Sequence, residues 1–329
     1  MSVALCATSH SPLIGLNDPA PDIRIEVERV LDQAREFARE FNPDLVVIFA
    51  PDHYNGFFYD MMPPFCIGAA ATSVGDYGLP TGELSVDKAA ANEISAAVLE
   101  AGVDVAVSED MQVDHGFVQP LLFLFETLQS VPVVPIFINC VAAPLGPASR
   151  SRALGAAVGS ALKKMDRRVL VVGSGGLSHD PPVPRMEDAP PEVVQRLLLR
   201  GRNPSAEQRA TREDKTVRAA RQYASGATDF RELNPEWDRE VLRALAEGDF
   251  ARIDEQTNDW FVREGGHSSH EIRTWIAAYA ALAAQGPYSM RSSYYRPIKE
   301  WFAGFATTTA QTDPTSSVTA ALSTEGAVR

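Results

Sequence analysis

The sequence predicts an α/β fold: a single domain with a central, mostly buried sheet flanked by helices. Two observations carry that expectation. Short apolar runs alternate with longer amphipathic stretches through the first half of the chain, the pattern of strands covered by crossover helices. The 329 residues suffice for one large α/β domain, and neither a clear linker nor an internal repeat divides them.

The elements follow in order. VALCAT (3–8) reads as a buried strand. Residues 23–41 have helical spacing, with Ile25, Val27, Val30, Leu31 and Phe37 biased to one side and charges to the other. DLVVIFAP (44–51) is a strand ended by proline, and CIGAAAT (66–72) is a further short strand. A helix over 86–102 stops at Gly102, and a strand follows over 103–108. Residues 117–128 form a mostly apolar helix that tolerates Pro120 in its first turn. A strand (131–139), a helix (151–165) and a strand (168–175) complete the alternation. The stretch 180–235 is proline-rich, then charged, and reads as an excursion that lies over the core or makes subunit contacts. Helices return at 235–248 and 268–284. The catalytic domain is expected to span 1–305. Residues 306–329, rich in Thr, Ser and Ala, are expected to be a disordered tail.

Composition narrows the function. With 43 acidic and 30 basic residues the formal charge is −13, which repels nucleic acid and anionic membranes. No basic stripe with interleaved aromatics offsets it. The longest apolar run (131–146) is broken by prolines and too short to span a bilayer, and the N-terminus reads as a strand without a basic leader. Cys6, Cys66 and Cys140 are an odd, widely spaced set that supplies neither a disulfide framework nor a thiolate zinc site. A reducing cytoplasm is the expected setting.

Six histidines remain, and their placement is informative. His10 follows the first strand in TSHSP, His53 the second in APDHYNGF, and His179 another in VVGSGGLSHD. Ligands in open α/β sheets collect beyond the carboxyl ends of strands, so three strand-end histidines far apart in sequence point to one shared site. Each alone reads equally as a solvated loop residue. Asp52 and Asp180 beside them fit turns, and Asp114-His115 fits a helix start. His115 stands where an acidic stretch becomes strongly apolar, an odd place for a titratable ring unless protons move there. In GGHSSHEIRTW, Ser268-x-x-Glu271 fits a capping box, whereas a carboxylate metal ligand is the rival reading of Glu271. His267 and His270 are neighbouring candidates.

Two motifs fail. Gly173-Ser174-Gly175-Gly176 has neither the spacing nor the lysine of a phosphate loop, and Ser174 lacks the G-x-S-x-G of a nucleophile elbow. The segment reads as a tight turn that lets His179 approach the site. HExxH is absent.

Taken together, TSHSP, APDHYNGF, VDHGFVQPL, GSGGLSHDPP and GGHSSHEIRTW resemble the class III extradiol ring-cleaving dioxygenases, from the first residues to about residue 305. The resemblance implies an Fe(2+) site of His10, His53 and Glu271, with His179 as proton acceptor and His115 as proton donor. Such a 2-His-1-carboxylate set leaves positions open for substrate and O2. It implies a small-molecule catechol substrate, 3-(2,3-dihydroxyphenyl)propionate or its cinnamate analogue, and a homo-oligomer. The substrate carboxylate calls for an arginine or backbone N–H groups; Arg185, Arg273 and Arg296 lie near the motifs. Two readings compete with a dioxygenase: a zinc hydrolase at the same ligands, and a binding protein without metal on the same fold.

Overall fold

A computed structural model describes residues 2–200, 202–228 and 230–313 of the chain. Its strands are β1 (Ser2–Thr8), β2 (Leu45–Ala50), β3 (Phe65–Gly68), β4 (Ala71–Val74), β5 (Thr81–Glu83), β6 (Ala106–Ser108), β7 (Met111–Val113), β8 (Val133–Ile138), β9 (Arg168–Ser174), β10 (Tyr288–Ile298) and β11 (Ala303–Thr312). The α-helices are α1 (Pro21–Phe41), α2 (Lys88–Glu100), α3 (His115–Phe125), α4 (Ala148–Leu162), α5 (Pro191–Gln195), α6 (Ala206–Ala224), α7 (Pro235–Glu247), α8 (Phe250–Asp254), α9 (Asn258–Gly265) and α10 (Ile272–Ala283).

Eight strands form one mixed sheet in the order β10-β11-β1-β9-β2-β8-β3-β6. Its centre, β1-β9-β2-β8, is parallel, and the remaining three, β5-β4-β7, form a small second sheet. Successive strand residues point to opposite faces, and both faces are covered. Val3, Leu5, Ala7, Leu45, Val47 and Phe49 pack with α2, α4, α7 and α10. Ala4, Cys6, Val46, Ile48 and Ala50 pack with Ala34 and Ala38 of α1 and with Phe117, Val118, Leu121 and Leu124 of α3. Two-sided burial explains why β1, β2, β8 and β9 read as unbroken apolar runs. On the first face, Gly155 and Gly159 let α4 close on the backbone of α10: a Cβ on either would come within 2.4 Å of a carbonyl oxygen of Ala277 or Ala281.

Three expectations are revised. The 66–72 run is not one strand: β3 and β4 are separate pieces in different sheets. The strand expected over 103–108 is confined to Ala106–Ser108. The disordered tail expected from residue 306 is corrected, because β11 runs to Thr312 and is paired on both sides, between β1 and β10. Composition misled there, since small residues and threonines were read as too polar to bury. Thr307, Thr308 and Thr309 are nonetheless buried, because Thr8, Tyr279 and Ser292 hydrogen-bond their hydroxyls at 2.7–2.8 Å. Residues 314–329 lie outside the described residues.

Candidate metal centre and active site

The site is assembled at the carboxyl ends of β1, β2 and β9. His10 lies two residues beyond β1, His53 three beyond β2, and His179 five beyond β9. His115 is the first residue of α3, and Glu271 ends a 3-10 turn (His267–Glu271) before α10. All five line one cavity of about 250 Å³. The ring centroid of His10 lies 5.4 Å from that of His53 and 5.3 Å from that of His115, and His53 stacks on His115 at 4.3 Å.

Glu271 is the hub. One carboxylate oxygen, Oε1, lies 3.1 Å from His53 Nε2 and 3.2 Å from His179 Nε2. The other, Oε2, accepts the Gly176 N–H at 2.9 Å and stands 3.5 Å from His10 Nε2. The side chain makes no cap hydrogen bond, so the capping-box reading of Ser268-x-x-Glu271 is set aside. The carboxylate points into the site instead of back along its own backbone.

Each histidine is anchored through Nδ1. His115 Nδ1–H donates to Asp76 Oδ2 at 2.5 Å, and its backbone N–H to Asp76 Oδ1 at 3.0 Å. His53 donates from Nδ1 to Asp114 Oδ2 at 3.0 Å, and His179 from Nδ1 to the Leu177 carbonyl at 3.0 Å. For His10 the partner is Ser174 Oγ at 2.9 Å. That hydroxyl spends its proton on the Gly116 carbonyl at 2.5 Å, so His10 Nδ1 must be the donor. In the neutral rings, Nε2 therefore carries a lone pair. The lone pairs of His10, His53 and His179 then face an ionised carboxylate with no hydrogen between them. Either some rings are protonated or a cation belongs there.

The electrostatics agree. Burial pushes the His10 imidazole down to about 3, against the pull of Glu271, so it stays neutral as a ligand must. Burial alone would raise the Glu271 carboxyl, but the electrostatic influence of the neighbouring His179 and His10 rings, with hydrogen bonds from His179 and His53, holds it well below the usual range. Burial would lower His53, but Asp114 and Glu271 outweigh it and raise the ring well above its ordinary value. Without a cation, His53 bridges two carboxylates as an imidazolium. With one, its Nε2 is free to bind. The donors fit a divalent cation: two neutral imidazoles with oriented Nδ1–H groups and one carboxylate.

The nitrogens of His10, His53 and His115 also approach within 4.8 Å of one another, as do groups of Asp76, Asp114 and His115. The second set is already committed. Asp76 holds His115 through both oxygens. Asp114 Oδ1 accepts the Gly116 N–H as N-cap of α3, and Oδ2 accepts the His53 N–H and Asn55 Nδ2–H. The helix-start reading of Asp114 therefore holds, and the same carboxylate orients His53. Asp52 likewise holds the turn after β2, accepting the N–H groups of Asn55, Gly56 and Phe57.

The glycine turn after β9 has the anticipated use. A Cβ on Gly175 would sit 2.9 Å from the Glu271 Cβ, and one on Gly176 2.7 Å from the His179 ring. Both approaches require glycine. His267 and His270 are not brought in. His267 is exposed and bonds Asp180, whereas His270 is buried against Phe261 and Arg273. Arg185 pairs with Asp188, Arg273 bonds Asn258 at 2.6 Å and Arg296 pairs with Glu26 at 2.5 Å; none of them lines the cavity. The excursion expected over 180–235 supplies one wall, through Pro181, Pro182, Val183 and Pro184 and the inner face of α6.

Sequence reasoning missed Asp76 and Ser174. Asp76 sits between two left-handed glycines in VGDYGL, 39 residues before the ring it holds. Its one local signal was an acidic residue inside a glycine-flanked turn. Ser174 was considered only as a nucleophile.

Residues 4–306 match the family described as the catalytic LigB subunit of aromatic ring-opening dioxygenase. A Rhodococcus sp. protein named 2,3-dihydroxyphenylpropionate/2,3-dihydroxicinnamic acid 1,2-dioxygenase is 60% identical over 310 residues, covering 94% of this chain and 98% of the relative. Relatives of the same name from Rhodococcus jostii and Cupriavidus pinatubonensis are 57% and 53% identical, over 94% and 93% of this chain and 98% of each relative. An uncharacterized Escherichia coli K12 protein of solved structure shares the fold, with TM-score 0.50 and 13% identity over 94% of this chain and 99% of its own. The chain belongs to the family of catalytic LigB subunits of aromatic ring-opening dioxygenases.

Proposed function

We propose that this protein is an Fe(2+)-dependent extradiol dioxygenase that cleaves 3-(2,3-dihydroxyphenyl)propionate, and its cinnamate analogue, with O2. The product is 2-hydroxy-6-oxonona-2,4-dienedioate or the corresponding triene. The observation that carries the reading is the set of Nε2 lone pairs turned on one buried carboxylate. The names of the relatives support the substrate. His10, His53 and Glu271 would hold the iron, which supplies a Lewis-acidic centre where a catecholate and O2 can meet.

The protein's own groups divide the proton chemistry. His179 is backed by a neutral carbonyl, so its Nε2 is a base suited to take a catechol proton. His115, held at Nδ1 by the Asp76 carboxylate, suits delivery of a proton to the departing oxygen. Asp76 also fixes the ring against rotation by accepting its Nδ1–H, while its other oxygen holds the His115 backbone N–H. The proline-rich wall and Leu13, Trp301 and Phe302 keep the cavity poor in water, protecting an oxygen-reactive substrate complex. Among the described residues no helix is long and apolar enough to cross a membrane, and the three cysteines are free and buried. The free cysteines support a cytoplasmic setting and the names of the relatives a small-molecule substrate, and a homo-oligomer is proposed with them.

The test follows oxygen uptake and the yellow ring-opened product together, after anaerobic reloading with Fe(2+). Matched consumption and colour are expected. Turnover that continues without oxygen would replace this reading with a hydrolase. No bound metal after gentle, reducing purification and reloading would replace it with a binding protein.

A further inference from the structure

The cavity that holds the histidines is also lined by arginines. Arg209 and Arg212 line it from α6 and Arg196 from the segment before that helix. Positions 209, 212, 213 and 216 are spaced i, i+3, i+4 and i+7, so they share one face of α6. Among the described residues, none of the three arginines pairs with a carboxylate within 4.0 Å. Arg209 Nη1 is buried without a hydrogen-bond partner, and burying unpaired guanidinium donors is costly. Burial depresses Arg196 and Arg212, and Arg212 is depressed further by Arg196 and Arg209.

This face touches the proton machinery through one residue. The Tyr77 ring stands edge-on to His115 at 5.4 Å, its hydroxyl donates to Thr216 Oγ1 at 3.2 Å, and its N–H donates to Glu213 Oε1 at 2.7 Å. Glu213, the acidic residue on this face of α6, is thus committed to the Tyr77 backbone. Lys215 at the rim adds another positive charge.

We propose that Arg209 and Arg212, with Arg196 beside them, form the site that binds the side-chain carboxylate of the substrate and so select 3-substituted catechols that bear an anion. A carboxylate accepts charge-assisted hydrogen bonds from guanidinium groups and relieves their mutual repulsion. The proposal rests on the ring-cleavage reading above and adds the residues that choose among catechols.

The experiment measures kcat/KM for 3-(2,3-dihydroxyphenyl)propionate and for 3-propylcatechol, a neutral analogue, on the iron-loaded full chain. The wild type is expected to favour the propionate. Arg209→Gln and Arg212→Gln are each expected to cut that preference roughly 10–100-fold, and Arg212→Lys to retain part of it. A preference within about twofold of wild type in both glutamine variants would overturn the anchor. Equal wild-type activity on both catechols would also overturn it, while leaving ring cleavage intact. Cleavage of neither would remove the ring-cleavage reading and the anchor with it. A measurement that needs no variant is inhibition of wild-type 3-propylcatechol cleavage. 3-Phenylpropionate is expected to inhibit at least tenfold better than 3-phenylpropanol, and equal inhibition would overturn the anchor.

Discussion

The Gly116 carbonyl accepts the Ser174 hydroxyl because Pro120 cannot reach it. In α3 the N–H of residue 120 would bond the carbonyl of residue 116, and proline has no N–H. The freed oxygen takes Ser174 Oγ at 2.5 Å, and that hydroxyl in turn accepts from His10 Nδ1. A proline inside a buried helix thus helps to set the tautomer of a histidine in the loop after β1.

Ser174→Ala should therefore leave the Gly116 carbonyl and His10 Nδ1 unpaired. Iron affinity is expected to fall about 10–100-fold, read by competition with a chelator. An affinity within twofold of wild type would show that the hydroxyl does not orient His10.

Asp76→Asn should keep iron and lose turnover. The amide weakens the hold on the His115 ring. A fall of roughly 10–1000-fold in kcat is expected at unchanged iron content, with partial recovery in Asp76→Glu. Loss of iron would place His115 among the ligands instead.

The two histidines proposed for proton transfer and the carboxylate proposed to hold iron should separate cleanly. His115→Ala and His179→Ala are expected to lose roughly 10²–10⁴ in turnover and retain iron, measured by metal analysis. Glu271→Gln should lose iron. Near-normal turnover in either histidine variant would remove that residue from proton transfer.

Gly175→Ala and Gly176→Ala test the same division by geometry. A methyl at 175 meets the backbone and Cβ of Glu271, whereas the nearest atoms to one at 176 are those of the His179 ring. The first is expected to weaken iron binding. The second should lower turnover with iron retained. Identical phenotypes would contradict the separation.

A chain ending at Phe305 should fail to yield folded protein, because it removes most of the strand that pairs with both β1 and β10. Recovery of a soluble chain with an unchanged melting profile would refute the structural role of β11.

The sequence by itself determined the layers and the chemistry that collects on them. Unbroken apolar runs at β1, β2, β8 and β9, short and set between amphipathic stretches, read as strands covered on both faces, and histidines just past three of the expected strands foretold a shared site. Periodicity and residue type record such local facts. Only the tertiary structure decided which groups complete the site. Asp76 and His115, Ser174 and His10, and Glu271 and His53 are 39, 164 and 218 residues apart. No local pattern carries a hydrogen bond over such distances. The same holds for β11, whose threonines are tolerable inside only because partners on β1, α10 and β10 satisfy their hydroxyls. Burial of a polar group is a property of its neighbours, and those are set by the fold.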